Sequence, residues 1–391
     1  LAQSGLADEI EEKKDGRAYD GTPDGELLKE PAERALEAAI AKVKFDTNAA
    51  IDVENFEGAM RALAELRGPV DTFFEEGLEG SPFAGNIVDI CPVGALVSKD
   101  FLHKARAWDL DRTPSVCPSC SQGCNITLQT RDDLVQRLKP RENLEVNGWW
   151  MCDFGRHNYE WMNRTDRLTE PRVRGETKGW GEALEALFAS LQGIGKDVRA
   201  LTWAHAPNEE MGLLKALVQE LGGGEVSYRS PRTEGEVVLP GFPLLARRED
   251  LAPNVNGAGI FGLNRVGDDN AAGGLEDLAG HQGVLFVVGD PLEDQPEDFG
   301  SRAELFVYLG SYPSKAAENA HFVLPITTFA EQEGTFTNVQ GRVQRFWPGI
   351  RSPGSARPGW LVLGALLAAL TETEAPVRAE EAFARVAKLV P

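Results

Sequence analysis

Val284-Leu-Phe-Val-Val288 and, beyond a Gly- and Pro-containing stretch, Leu305-Phe-Val-Tyr-Leu309 are almost unbroken apolar runs. A strand with one wet face alternates apolar and polar residues. A run with hardly a polar position predicts a strand buried on both faces, as in a parallel sheet covered by helices. Working outward, Val198–Ala204 and Glu225–Tyr228 read as further strands, and Asn208–Leu221 between them as a helix stopped by Gly222-Gly223-Gly224. Ala183, Leu184, Leu187, Phe188 and Leu191 recur at helical spacing. Strand and helix therefore alternate from about residue 178, which predicts an α/β class with a doubly wound sheet. Residues 230–280, rich in Gly, Pro and Asn, read as long loops at the strand ends, where such folds bind ligands. Residues 358–390 read as helical, with Trp360–Leu370 a core helix.

Upstream the pattern is different. Residues 26–44 predict an amphipathic helix with Leu27, Leu28, Ala32, Leu36, Ala39, Ile40 and Val43 on one face, and Pro31 suits its first turn if it starts late. A second helix is expected over 53–67, ended by Gly68-Pro69, and a third over 70–77 carrying Val70, Phe73 and Phe74. Nine Lys and Arg stand against twenty Asp and Glu over residues 1–80, a net of −11. The expected organisation is an acidic helical domain at 1–77, a loop-rich iron–sulfur segment at 78–165 and an α/β domain at 166–391.

The chemistry sits in the middle segment. Four of the five cysteines form one pattern: Cys117, Cys120 and Cys124 as C-x2-C-x3-C, then Cys152 after 27 residues. Three thiolates from one tight loop and a fourth from another segment hold a cubane [4Fe–4S] cluster. Zinc is the rival, but structural zinc prefers two C-x2–4-C knuckles or a Cys/His mixture, and His157 falls five residues past Cys152. A disulfide framework is not needed by an acidic chain of 391 residues. Gly123 is expected to turn the loop between two ligands, and Trp149, Trp150 and Met151 to keep water from the site.

The formal net charge of −21 argues against nucleic acid or an anionic membrane surface as a direct partner. No apolar stretch approaches membrane-spanning length, and neither a secretory nor a twin-arginine leader is read. The first residue is Leu, which suggests a fragment or a processed chain, and sparse cysteine suits a reducing cytoplasm.

Phe83-Ala-Gly-Asn-Ile-Val-Asp-Ile-Cys-Pro-Val-Gly-Ala-Leu-Val-Ser-Lys99, Ala105-Arg-Ala-Trp108, the four cysteines and Val146-Asn-Gly-Trp-Trp-Met-Cys-Asp-Phe-Gly-Arg156 resemble the 75 kDa subunit of bacterial complex I. Ala320-His-Phe-Val-Leu-Pro325 and Glu333-Gly-Thr-Phe-Thr-Asn-Val-Gln-Gly-Arg-Val-Gln344 resemble the molybdopterin oxidoreductase superfamily to which its large domain belongs. The resemblance covers about 78–391. It implies an electron-transfer subunit of NADH:quinone oxidoreductase with one [4Fe–4S] cluster on Cys117, Cys120, Cys124 and Cys152, and no catalytic residue of its own. Partners are then the other peripheral-arm subunits. The location is cytoplasmic, at the inner face of the plasma membrane through the complex, without direct membrane insertion.

Three departures qualify it. Cys91 matches the fourth ligand of a second cluster, but the other three ligands lie upstream in the family and this sequence has no cysteine before 91, so an orphan, unligated thiol is expected. The molybdenum enzymes carry Lys where this chain has Phe154, so molybdopterin is not expected, Glu333–Gln344 is expected to be structural, and a molybdopterin-dependent oxidoreductase is the alternative. Finally, Leu27–Leu36 and Ala62–Glu76 resemble the helical C-terminal region of the bacterial glycyl-tRNA synthetase β subunit, with a seam near Glu76–Gly80. A chimeric fragment with that appendage and no activity of its own is a further alternative. NADH oxidation by the chain alone is not expected, since it has no nucleotide fingerprint.

Overall fold

In the computed structural model the described residues are 25, 28, 30–73, 80–91, 94–192, 197–267 and 275–390. The chain divides into two compact units, Leu1–Ala84 and Gly85–Pro391.

The first unit is helical where described. Its long helix, Pro31–Asp52, starts later and runs further than the 26–44 read from sequence; Pro31 occupies the first turn, and Glu30 and Glu33 cap it reciprocally. Ala32 and Val43 are buried, whereas Ile40 is exposed, so the apolar face is narrower than expected. Asn55 Oδ1 accepts the Gly58 N–H at 2.9 Å to open the second helix, Phe56–Ala64. Gly68-Pro69 does not end a helix: Arg67–Thr72 runs through it, because Pro69 lies in the first turn, where its missing N–H leaves no intrahelical bond unmade. Leu27, Phe74 and residues 76–79 of the expected seam lie outside the described residues.

The second unit contains two main sheets. β1 (Asp111–Val116), β2 (Asn125–Arg131) and β3 (Leu134–Pro140) form an antiparallel sheet in a segment that reads as loops from sequence. Its buried face rests on Ile126, Leu128, Val135 and Leu138, interleaved with polar side chains such as Arg137 and Lys139.

The larger sheet has eight strands. In chain order they are β4 (Arg172–Val173), β5 (Glu176–Thr177), β6 (Val198–Trp203), β7 (Val226–Arg229), β10 (Asn264–Arg265), β11 (Val284–Val288), β12 (Leu305–Gly310) and β13 (Phe322–Pro325), and their spatial order is β10-β7-β6-β11-β12-β13-β4-β5. All neighbours from β10 to β13 are parallel, and β4 and β5 finish the edge antiparallel. The fold is thus α/β, as the apolar runs predict. Alternate residues explain those runs. Val284, Phe286 and Val288 enter one core with Leu305, Val307 and Leu309, while Leu285 and Val287 enter another with Phe306 and Tyr308. The two faces are covered unequally. Helices Trp180–Gln192, Asn208–Glu220, Gly359–Thr371 and Ala379–Val386 pack into the first core; the short helix Leu275–Ala279 and loop residues such as Leu292 and Phe299 fill the second.

The stretch 230–280 is more ordered than expected. It holds a hairpin of β8 (Val237–Leu239) and β9 (Phe242–Arg247), the short helices Val255–Ile260 and Leu275–Ala279, and edge strand β10. Among its described residues Gly241 and Gly262, at φ +81° and +66°, turn the chain tightly between short elements where long loops are expected. Phe286 is fully buried at the sheet centre. Phe286→Ala should cost about 3–5 kcal/mol through lost burial and a residual cavity, measurable by denaturant unfolding; a loss under ~1 kcal/mol would contradict this core assignment.

The parallel strands advance outward from β6 to β7 and β10, then return to the other side of β6 with β11. The reversal between β6 and β11 places a crevice beyond their carboxyl ends. A cleft of about 480 Å³ lies there, lined by Trp203, His205, Arg229 and Asp290 among others.

Candidate metal centre

Strand β1 delivers Cys117 directly after Val116, and β2 begins directly after Cys124, so the sheet fixes both ends of the cysteine loop. The Cys117 N–H donates to the Cys124 carbonyl at 2.8 Å and the Gly123 N–H to the Cys120 carbonyl at 3.2 Å. Gly123 has φ +63°, and a Cβ there would come within 2.7 Å of Gln344 Nε2. The expected turn is present, and glycine is needed for both backbone and space.

β14 (Gly334–Thr337) and β15 (Val343–Phe346), the antiparallel ribbon formed by the Glu333–Gln344 motif, clamp this loop. Gln344 Nε2 donates to the Gly123 carbonyl at 2.8 Å, and Gln344 Oε1 accepts from Asn125 Nδ2 at 2.6 Å. The Val339 N–H donates to the Ser121 carbonyl at 2.8 Å. Arg342 pairs with Glu145 at 2.6 Å. From the other side, Arg248 Nε donates to Gln122 Oε1 at 2.6 Å, and Gln122 Nε2 to the Val146 carbonyl at 2.5 Å.

Cys152 caps the short helix Asp153–His157, and its sulfur accepts the Gly155 N–H at 3.4 Å. Its segment is pinned by helix Gly85–Ile90. Asn86 Nδ2 donates to the Met151 carbonyl at 2.8 Å, and Asn86 Oδ1 accepts the Met151 N–H at 3.1 Å. Arg156 pairs with Asp89 at 2.7 Å. Met151 is buried as expected, but Trp149 is 44% exposed and screens nothing from water on its outer side.

Cys117, Cys120, Cys124 and Cys152 are each only 3% exposed and couple electrostatically as one group. Burial pushes the Cys117 thiol up to about 12, with the charge of Cys120 adding to the effect. Burial likewise raises Cys120, Cys124 and Cys152. Opposing it, the Ser119 N–H and hydroxyl point at the Cys117 sulfur, and the Arg248 and Gln122 N–H groups at the Cys120 sulfur. Burial and mutual repulsion make four free thiolates unfavourable in this dry pocket, so the metal-free groups stay protonated, and a cationic partner reverses that cost.

The donor set therefore fits an iron–sulfur cluster. Zinc, held tetrahedrally by sulfurs at about 2.3 Å, is the rival for the same four thiols, and a metal assay separates the two. His157 is exposed and lines a different cleft, of about 520 Å³, together with the half-buried Cys91. Phe154 is half-buried on the Cys152 helix.

The spacing of the cysteines does not single out Gly155, although it lies three residues past Cys152. A Cβ built on it would sit 2.9 Å from the Cys117 sulfur and 3.6 Å from that of Cys152. Gly155→Ala should displace one ligand and lower the iron retained by the purified chain at least about threefold, with the fold intact by circular dichroism. Wild-type iron content in that variant would remove Gly155 from the site.

Residues 110–164, around the four-thiol pocket, match the family Molybdopterin oxidoreductase Fe4S4 domain, and residues 255–369, in the α/β sheet, match the family Molybdopterin oxidoreductase. Over parts of its length the chain is similar to the G and 78 kDa subunits of NADH-quinone and NADH-ubiquinone oxidoreductases. It is 42% identical over 138 residues to NADH-quinone oxidoreductase subunit 3 of Thermus thermophilus, a match covering 34% of this chain and 18% of that one. It is 36% identical over 163 residues to the NADH-quinone oxidoreductase G subunit of Rickettsia conorii, covering 40% and 24%. A 25% identical match over 416 residues to the mitochondrial 78 kDa subunit of NADH-ubiquinone oxidoreductase of Candida albicans covers 76% and 58%. The matches span between about a fifth and three fifths of these relatives' lengths.

Proposed function

We infer that this chain holds one [4Fe–4S] cluster on Cys117, Cys120, Cys124 and Cys152 and serves as an electron-carrying subunit of complex I. The observation that carries the reading is the set of four buried thiols, met by amide donors and clamped by Gln344 and Asn86. When bound, the cluster supplies one-electron redox chemistry. The protein supplies the rest. It fixes the four thiols, directs N–H groups at their sulfurs, which stabilises added negative charge, and excludes water through Met151, Phe329, Phe336 and Phe346.

Molybdopterin is not expected in this function. Phe154 stands where the molybdenum enzymes place a lysine, and a phenyl ring neither donates a hydrogen bond nor carries charge. The proposed partners are other subunits of complex I, and the proposed location is the inner face of the membrane, reached through them. Among the described residues no helix is long and apolar enough to cross a membrane, in keeping with peripheral attachment.

The test is EPR of the anaerobically purified full chain after dithionite reduction. A cubane-type signal of about one spin per chain supports the reading; a chain that binds zinc and gives no such signal defeats it.

A further inference from the structure

The helix Asn208–Glu220 opens with two acidic residues that face the core rather than water: Glu209 and Glu210 are 1% and 2% exposed. Their situations differ. Both carboxylate oxygens of Glu209 are taken, accepting the Thr335 N–H and hydroxyl at 2.9 Å each. Glu210 bonds the Gln332 side chain and the Gly359 backbone, yet its Oε1 has no hydrogen-bond partner among the described residues.

That oxygen belongs to a residue lining a small cavity of about 20 Å³. A cavity needs roughly 10–15 Å³ to admit one water, and that water needs two to four polar partners. Other residues lining it carry buried polar atoms without a partner among the described residues, among them His205 Nδ1, Thr327 Oγ1 and Gln332 Oε1. The cavity has two borders of consequence. On one side stand Pro118, adjacent in sequence to Cys117, and Phe329, part of the apolar cluster that encloses Cys117 and Cys124. On the other, His205 and Trp203 also line the wider cleft at the sheet's switch point. A buried carboxyl thus lies between the thiol pocket's shell and a residue that borders the cleft.

We propose that Glu210 is a proton-exchange site coupled to the charge of the four-cysteine pocket, taking up one proton as the pocket takes up one electron. This rests on the cluster reading above. The electron comes from a one-electron donor, which is oxidised. The proton comes from a buffer acid in the solvent of the cleft that His205 borders, whose own bond to hydrogen breaks and which is left as its conjugate base, and the bond formed is O–H at Glu210 Oε1.

The charges around Glu210 suit that role. Burial first, then the neighbouring charges of Glu209 and Asp290, raise its pKa to about 8. Asp290 is half-buried and held by the Ser311 and Tyr312 N–H groups and the Tyr308 hydroxyl. Arg167, the nearby cation, is committed to Glu331. Burial lowers His205 to about 4, which keeps its ring neutral. Added negative charge at the thiol pocket disfavours the Glu210 carboxylate and pulls the proton in; conversely, the protonated acid eases reduction.

The test is a redox titration of the full, cluster-containing chain, followed by EPR between pH values of about 6 and 10. The reduction equilibrium constant should fall with rising pH near and above 8, by up to about tenfold per unit, and Glu210→Gln should abolish that dependence. Equal pH dependence in both proteins, or none in either, overturns the proposal while leaving the cluster in place. A chain without iron defeats the cluster reading and this one together, so the two failures are distinct. Should Glu210→Gln not fold, redox-difference infrared spectroscopy of the unaltered chain decides the matter. At about pH 9, where the carboxyl is largely ionised before reduction, a protonated-carboxyl band that grows on reduction supports the coupling, and its absence overturns it.

Discussion

Cys120→Ser is expected to strip the [4Fe–4S] cluster from the chain, taking iron from about four to below about one per chain after anaerobic reconstitution. Cys120 is the ligand whose sulfur faces the Arg248 and Gln122 N–H groups and the positive charges of Arg248 and Arg247. Those groups stabilise a thiolate, whereas serine would present a neutral hydroxyl in the same dry pocket. The other three sulfurs cannot close the cage, because Cys117 and Cys124 belong to the same loop and Cys152 arrives from the opposite segment. Since the apo pocket then lacks the binding free energy that the cluster adds to the folded state, the melting temperature should fall as well. Iron and sulfide assay checks the first expectation, and a variant with full iron content would contradict the ligand assignment.

Arg167→Ala should destabilise the second unit by about 3–5 kcal/mol. Arg167 and Glu331 form a two-point pair, with Nη2 to Oε2 at 2.8 Å, and their side chains are only 6% and 2% exposed. Arg167 Nε also donates to the Ser311 carbonyl at 3.1 Å. One arginine therefore ties the segment after the cysteine pocket to the turn before β14 and to the end of β12. Removing it leaves the Glu331 carboxylate buried without its countercharge, and that residual charge dominates the cost. Glu331 keeps its bond from the Thr328 N–H at 2.8 Å, which lowers the loss without cancelling it. Urea unfolding followed by tryptophan fluorescence measures the difference; a change below ~1 kcal/mol would show that the pair is not an essential tie.

What the sequence revealed depended on how local the signal was. Val284–Val288 and Leu305–Leu309 were legible as buried parallel strands because a strand covered on both faces has no wet position to interrupt the run. The gathering of the four thiols in one pocket was legible because three of them lie within one short loop. β1 to β3 were not, because Arg112, Arg137 and Lys139 interrupt the apolar alternation. The pair Glu209-Glu210 opens a helix, where acidic residues ordinarily face water and favour the helix dipole; only the tertiary fold shows that they are enclosed. The clamps on the cysteine loop lie far along the chain. Gln344 reaches Gly123 across 221 positions, and no local pattern announces such a contact.

The most direct measurement of the four-cysteine cluster is iron and acid-labile sulfide per chain in protein purified without oxygen. About four of each are expected, with no stoichiometric zinc. Stoichiometric zinc with iron and sulfide near zero, after reconstitution has been attempted, would contradict the cluster.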